Sequence, residues 1–258
     1  MQHLLSYRDL IQTLVVRDLK VRYRRSIIGF VWTMLQPLML MVVFHFVFSH
    51  LFVLKGFRIR NYAVFALAGI LFWNFFQQSI VASMNSLKAN SHILQKLPVP
   101  MAVFPIATVI SGLVNLLLAL IPLVGILLVT GHPIGVEMLF LPVSILLAAL
   151  FTLGVGLLLA PLAVFFNDVI ELITVILTLM FYMTPIIYPK EMLAGQSFYW
   201  VVRYNPVRSV LEVFRDPIHL SKIPPLSHLT VTLVITLVAL ALGAWAFRKF
   251  SNRIPFYI

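Results

Sequence analysis

Charged residues are missing from six long stretches of this chain: 26–54, 61–87, 97–136, 138–168 (which closes on Asp168), 172–189 and 223–247. A helix that crosses the hydrocarbon core of a bilayer needs about 20 predominantly apolar residues, and each stretch can hold one. In lipid every backbone N–H and C=O must be paired internally, which leaves only helices or a closed barrel. The apolar runs are continuous and do not alternate with polar residues, so they specify helices. The expected fold is an all-α integral membrane protein with six transmembrane helices. Pro98 and Pro100 place the start of the third near Met101, and Gly131-His132-Pro133-Ile134-Gly135 reads as the turn before the fourth. The fifth is short and ends at Thr184-Pro185.

The balance of residue types agrees. Of 258 residues, 61% are hydrophobic and only 10% charged, where a soluble domain carries about 25% charged residues. The net charge of +11 would suggest nucleic acid in a soluble protein. Here the basic residues flank apolar spans, so topology and anionic headgroups account for them and no nucleic-acid partner is expected. There is no Cys, hence no thiol chemistry. The first apolar run is too long for a signal-peptide core, so no cleaved signal is expected. The chain reads as one domain, 1–258: a segment 1–25, a six-span bundle 26–247 and a tail 248–258. Arg8, Arg17, Lys20, Arg22, Arg24 and Arg25 precede the first span, and Arg248, Lys249 and Arg253 follow the last. The positive-inside rule places both termini in the cytoplasm.

Three connecting segments are informative. At about 100° per residue, Leu4, Tyr7, Ile11, Leu14, Val15 and Leu19 share one face of residues 3–25, with Asp9, Thr13, Arg17, Lys20 and Arg24 opposite. This is an N-terminal amphipathic interfacial helix, interrupted by Arg8, Asp18 and Arg22. Residues 85–97 read as a short polar helix stopped by Pro98 and Pro100. Carrying Lys88 and Lys96 and no acid, it reads equally as an ordinary loop or as a docking surface. Residues 188–217 are rich in aromatics and broken by Pro189, Gly195, Pro206 and Pro217. Two helical pieces, 190–204 and 206–215, predict an outer-side re-entrant hairpin between spans five and six. Along the second piece Arg208–Glu212 and Glu212–Arg215 are spaced to pair.

Catalytic signatures are lacking. No phosphate loop, zinc-protease motif or nucleophile elbow occurs, the seven His are scattered, and no metal site is expected. Ion-driven carriers keep acids near the bilayer midplane, whereas Glu137, Asp168 and Glu171 sit at span ends. Any energy must come from another subunit.

The stretch RDLKVRYRRSIIGFVW at 17–32, followed by Gln36-Pro37, resembles the start of ABC-2 type exporter permeases, above all those that export lipid-linked O antigen, capsule or teichoic acid. Tyr182-Met183-Thr184-Pro185-Ile186-Ile187-Tyr188-Pro189, Asn205-Pro206 and Arg215-Asp216-Pro217 support it, and the resemblance spans nearly the whole chain. Relatives often carry Arg-Asp where this chain has Asn167-Asp168, which puts in doubt any ion pair made by that Arg. The resemblance implies a non-enzymatic subunit of a bacterial inner-membrane exporter: a homodimer with two copies of an ABC ATPase that binds ATP and Mg, so that this chain needs no cofactor. It implies ATPase coupling through residues 88–97, with Lys88, Asn90, His92, Gln95 and Lys96 as candidates. Tyr199, Trp200, Tyr204, Arg208, Glu212 and Arg215 become outer-gate candidates. The substrate would be a polyprenyl-pyrophosphate-linked glycan, O antigen first, threaded through a channel at the homodimer interface.

Residue chemistry suits such a cargo. Sugar C–H faces stack on aromatic rings, and the chain has 21 Phe, 8 Tyr and 4 Trp. Phe44, Phe48 and Phe52 fall on one face of span one, and Phe65, Phe72 and Phe76 on one face of span two. With Trp73, Phe181, Tyr182 and Tyr188 they supply the channel candidates: Phe44, Phe48, Phe72, Trp73, Phe76, Phe181, Tyr182 and Tyr188. The same stripes read equally as helix packing, lipid contact or an interface belt. Arg17, Lys20, Arg22, Arg24 and Arg25 are candidates for the pyrophosphate linker or for membrane-lipid headgroups. The competing readings are an ABC-2 permease for teichoic acid, capsule, drug or lipid and, more remotely, a membrane enzyme or assembly factor of lipid-glycan synthesis acting through Asp168 or Glu171.

Overall fold

The computed structural model describes residues 7–23, 29, 31–54 (side chains to 48), 59, 61–96, 98–193, 195–197 and 199–257, and these are helical with no strand among them. In chain order the helices are α1 (Arg8–Tyr23), α2 (Val31–Leu54), α3 (Tyr62–Ala89), α4 (Ser91–Leu94), α5 (Val103–Val129), α6 (Leu141–Phe165), α7 (Val169–Met183), α8 (Tyr199–Arg203), α9 (Pro206–His219) and α10 (Leu226–Ser251). Short 3₁₀ turns lie at Val136–Phe140, Lys190–Leu193 and Ile254–Phe256. Arg24, Arg25, Leu4 and the Phe52 side chain lie outside the described residues.

Among the described residues five helices are long and apolar enough to cross a membrane: α2, α3, α5, α6 with its preceding turn, and α10. The remaining span, α7, has 15 residues and rises about 22 Å, short of the roughly 30 Å hydrocarbon core. The buried segment after it, Thr184-Pro185-Ile186-Ile187, carries the chain onward.

Helix α3 is the axis of the fold. It packs against α2, α5, α6, α7 and α9 and is buried on every side through most of its length, as an all-round apolar helix must be. The closest helix pair is α6 with α10. There a Cβ on Gly154 would lie 2.5 Å from the Ala239 carbonyl carbon, and Gly243 faces the Gly154 backbone. Small residues let two backbones approach this closely where lipid supplies no hydrophobic drive for association.

The apolar stripe of α1 is used by the protein itself. Leu14 and Val15 are buried, with Tyr7, Leu10, Ile11 and Leu19 around them, in a second cluster containing Leu87 of α3, Phe104 of α5, Leu157 and Val164 of α6, and Phe247 and Ile254. One end of the bundle thus collects α1, α4 and the C-terminal residues, in keeping with six crossings.

Three local expectations are corrected. The segment expected as a helix over 85–97 is instead the last turns of α3, a break at Asn90 and the single turn α4. Helix α3 continues because Ser86 and Leu87 are still in the core. The piece expected over 190–204 divides into a 3₁₀ turn and α8, because Gly195 between them has φ +89°, a left-handed conformation that ends a helix. Helix α9 runs past Arg215 to His219, through Pro217. Proline has no N–H for the Val213 carbonyl, and the Ser144 hydroxyl of α6 donates to that carbonyl instead, at 2.8 Å.

Candidate functional site

At the α1/α4 end, polar side chains tie three segments together. The Arg17 guanidinium donates to the Asn90 Oδ1 at 2.6 Å and to Asp18 Oδ1 at 2.8 and 3.1 Å. Asn90 is buried, and its amide also donates to the Ser86 carbonyl at 2.7 Å. The Asn90 side chain thus ties the end of α3 to α1, while its backbone carbonyl starts α4 by accepting from the Ile93 and Leu94 N–H groups. Lys88 Nζ donates to Asn167 Oδ1 at 2.7 Å, joining the foot of α3 to the α6–α7 turn. His92, Gln95 and Lys96 project outward from the short turn. The coupling candidates thus divide into two that hold the segment, Lys88 and Asn90, and three that face out. Asn167 supplies the acceptor for Lys88.

Among the basic candidates of α1, Arg17 is committed to Asn90, Lys20 is exposed, and Arg22 donates to Gln78 Oε1 of α3 at 2.7 Å. No periodicity argument on α1 alone could have found Asn90 or Gln78, because both partners come from α3 and its end.

The aromatic candidates form one chain of rings and one separate pair. Phe72 and Phe76 stack with centroids 6.2 Å apart, and Trp73 meets Phe76 at 5.7 Å and Phe181 at 5.7 Å. Phe181 meets Tyr182 edge-on at 5.2 Å. The two ends of that chain differ. Phe72, Trp73 and Phe76 are buried within this single chain, Phe76 against Phe151 and Phe72 against Phe214, whereas Tyr182 is 66% exposed. Phe44 and Phe48 form the pair, at 5.9 Å on α2, and are partly buried. Tyr188 donates its hydroxyl to the Tyr182 carbonyl at 2.7 Å.

At the opposite end, the two motif stretches fold onto each other through Thr184 and Asn205, 21 residues apart in sequence. Asn205 caps α9 by accepting from the Val207 N–H at 2.9 Å and donates to the Thr184 hydroxyl at 2.9 Å. Arg215, fully buried, donates to the Pro185 carbonyl at 2.8 Å and lies 4.0 Å from the Phe65 ring centroid. Tyr62 donates to the Ile187 carbonyl at 2.7 Å. The Pro185 and Ile187 carbonyls, unable to pair in a helix or strand, are thereby satisfied by side chains, and the Thr184 carbonyl accepts from the Ile186 N–H at 2.7 Å.

Glu212 sits beside this brace. Its carboxylate receives Arg208 at 2.9 Å, Lys190 at 3.1 Å and His228 at 3.6 Å. Burial would raise the Glu212 carboxyl, but Arg208 and Lys190 outweigh it and hold the group below its ordinary range. The Arg208–Glu212 spacing pairs as expected. The Glu212–Arg215 spacing does not, because Arg215 turns toward Pro185. The outer-gate candidates therefore separate into an internal brace (Arg208, Glu212, Arg215) and a rim of rings: Tyr199 half-buried, Trp200 and Tyr204 exposed.

A helical protein with five helices long and apolar enough to cross a membrane among its described residues has the architecture of an integral membrane protein. The chain belongs to the ABC-2 type transporter family, which matches residues 9–219. It is 27% identical over 246 residues to the O-antigen export system permease protein RfbA of Klebsiella pneumoniae, covering 95% of this chain and 93% of that one. To the protein of the same name from Myxococcus xanthus it is 30% identical over 244 residues, 93% and 91% of the two chains. To the polysialic acid transport protein KpsM of Escherichia coli it is 23% identical over 255 residues, 92% of each.

Proposed function

We propose that this chain is the permease subunit of an ATP-driven exporter that moves a polyprenyl-pyrophosphate-linked polysaccharide, O antigen first, across the bacterial inner membrane. The observation that carries this reading is the end-to-end similarity to O-antigen export permeases. In this reading two copies of the chain pair, with two copies of an ATPase subunit that binds ATP and Mg and performs the hydrolysis. Both termini face the cytoplasm, so α4 presents His92, Gln95 and Lys96 to the ATPase. Arg17–Asn90 and Lys88–Asn167 carry its motion into α1 and the α6–α7 turn.

The conduit would lie between the two copies. Helix α7 suits its wall. It is short, little buried, and exposes Leu172, Val175, Leu179 and Tyr182, with Thr174 and Thr178 satisfied on their own helix. Such a face offers a moving glycan weak, sequence-tolerant contacts, and Trp200 and Tyr204 extend it outward. Phe72, Trp73 and Phe76 act behind it, as the packing that sets the ring of Phe181.

Tagging the chain in its native membrane and solubilising it gently should recover a phosphate-loop ATPase near one to one. Depletion should then leave lipid-linked glycan on the cytoplasmic face. Recovery of no ATPase after crosslinking would sink the proposal. Accumulation of a capsule precursor instead of O antigen would move the substrate toward that of the KpsM relatives.

A further inference from the structure

The proposal below rests on the membrane-spanning architecture and not on the exporter reading. Between α1, α2, α3 and α5 lies a cleft formed by two adjoining cavities of about 200 and 460 Å³. Its walls bring side-chain amides from three apolar helices to one place: Gln36 of α2, Asn74 and Gln78 of α3, and Asn115 of α5. Arg22 of α1 closes one side, holding Gln78 at 2.7 Å, and Trp32 lines the α2 side. Ser79 also lines the cleft. Its hydroxyl oxygen is buried and has no hydrogen-bond partner.

Arg22 already meets Gln78; lipid tails cannot hydrogen-bond, so a cleft that gathers further amides between apolar helices favours a polar occupant. The mixture of groups narrows what that is. A guanidinium offers a forked donor to a phosphate. Amides both donate and accept, which suits hydroxyls, and an indole offers a face for a sugar or glycerol C–H edge. A tail has a path as well. From Gln36 the same face of α2 continues at i+4, i+7 and i+11 through Leu40, Val43 and Val47, all exposed and apolar.

We infer that this cleft binds the phosphate-bearing, hydroxyl-rich head of a membrane amphiphile, with its tail lying along α2. Two sources share that chemistry: a resident anionic phospholipid such as phosphatidylglycerol, and a polyprenyl-pyrophosphoryl sugar.

Native mass spectrometry of the full purified chain, with any partner that accompanies it, tests this. The probes are phosphatidylglycerol and a polyprenyl-pyrophosphoryl monosaccharide, titrated separately. Arg22→Gln and Gln78→Leu should each weaken binding roughly ten-fold, the effect of losing one charge-assisted hydrogen bond. Arg8→Gln removes the same charge from an exposed position of α1 outside the cleft and should change binding by no more than about two-fold, as a solvent-screened charge does. Tighter binding of the polyprenyl probe makes the cleft a station for the substrate head. Tighter binding of the phospholipid makes it a structural lipid site. An equal loss in Arg8→Gln, or none in Arg22→Gln and Gln78→Leu, would overturn the site in favour of diffuse attraction to headgroups. If the variants fail to fold, a photoreactive phosphatidylglycerol on the wild-type chain decides: label mapping to 71–82 and 108–119 supports the cleft, and label confined elsewhere removes it. Absence of an ATPase partner would overturn the exporter reading and leave these binding constants unchanged.

Discussion

Arg215 is a buried cation whose partners are a backbone carbonyl and a ring, with its own Asp216 next in sequence. Burial pulls its guanidinium down to about 10, so it stays charged at neutral pH, anchored by Pro185 and Phe65. Replacing it with Gln should cost roughly 2–4 kcal/mol, combining a charge-assisted hydrogen bond with a desolvated cation–π contact. Arg215→Lys should recover only part, because an ammonium cannot stack and donate along a fixed fork. Thermal unfolding in detergent reads both. Glu212 makes a different, pH-dependent contribution. Its folded-state carboxyl is held below its ordinary value, so its stabilisation is complete above the unfolded pKa of about 4.3 and is lost as pH falls through the folded value. The difference in melting temperature between wild type and Glu212→Gln should be present at about pH 5 and close below about 4. A gap that persists undiminished well below that pH would contradict the brace. The sequence showed the Arg208–Glu212 partnership, because both lie on one helix. It could not show Lys190 or His228 reaching the same carboxylate, nor Arg215 leaving it, since those depend on how α9 seats against Thr184-Pro185-Ile186.

The elements repeat that pattern. Uncharged stretches located the spans to within a few residues, because lipid forbids charge along them. The apolar stripe of α1 was legible from its period, but not what covers it: lipid and the foot of a helix bundle select the same residues. Asn90 is the sharper case. It reads as one polar residue in a polar loop, yet it joins α1, α3 and α4. A double-mutant cycle on Arg17→Ala and Asn90→Ala should give a coupling energy of roughly 1–2 kcal/mol in thermal unfolding. If α4 passes on the ATPase stroke, either single variant should keep the ATPase bound while lowering export more than hydrolysis. Loss of ATPase binding itself would show that the pair only shapes a docking surface.

At the scale of the molecule, the undecided matter in the sequence was which aromatic faces are walls and which are packing. Phe72 and Phe76 on α3 and Tyr182 on α7 look alike in a list of hydrophobic residues. Five helices close around α3, so its rings meet Phe151 and Phe214, while α7 is clasped on one side only. The chain has no native Cys, so single cysteines report accessibility without background. In the assembled transporter, Tyr182→Cys should react with a membrane-impermeant, water-soluble thiol reagent, and Phe72→Cys and Phe76→Cys should not. The last two remove buried rings at a cost of roughly 3–5 kcal/mol, so their folding is to be checked by thermal unfolding before labelling. Reaction at Phe72→Cys in a folded protein would mean that water reaches the axis of a single copy, which places the conduit inside the protomer. Protection of Tyr182→Cys from the water-soluble reagent, with labelling by a lipid-soluble one, would turn α7 outward to lipid and take it out of the conduit wall. Reaction at Tyr182→Cys alone, suppressed when a glycan-bearing lipid is held in transit by a trapped ATPase, fits a path between two copies of the chain, because among the described residues no other element of one copy covers that face of α7.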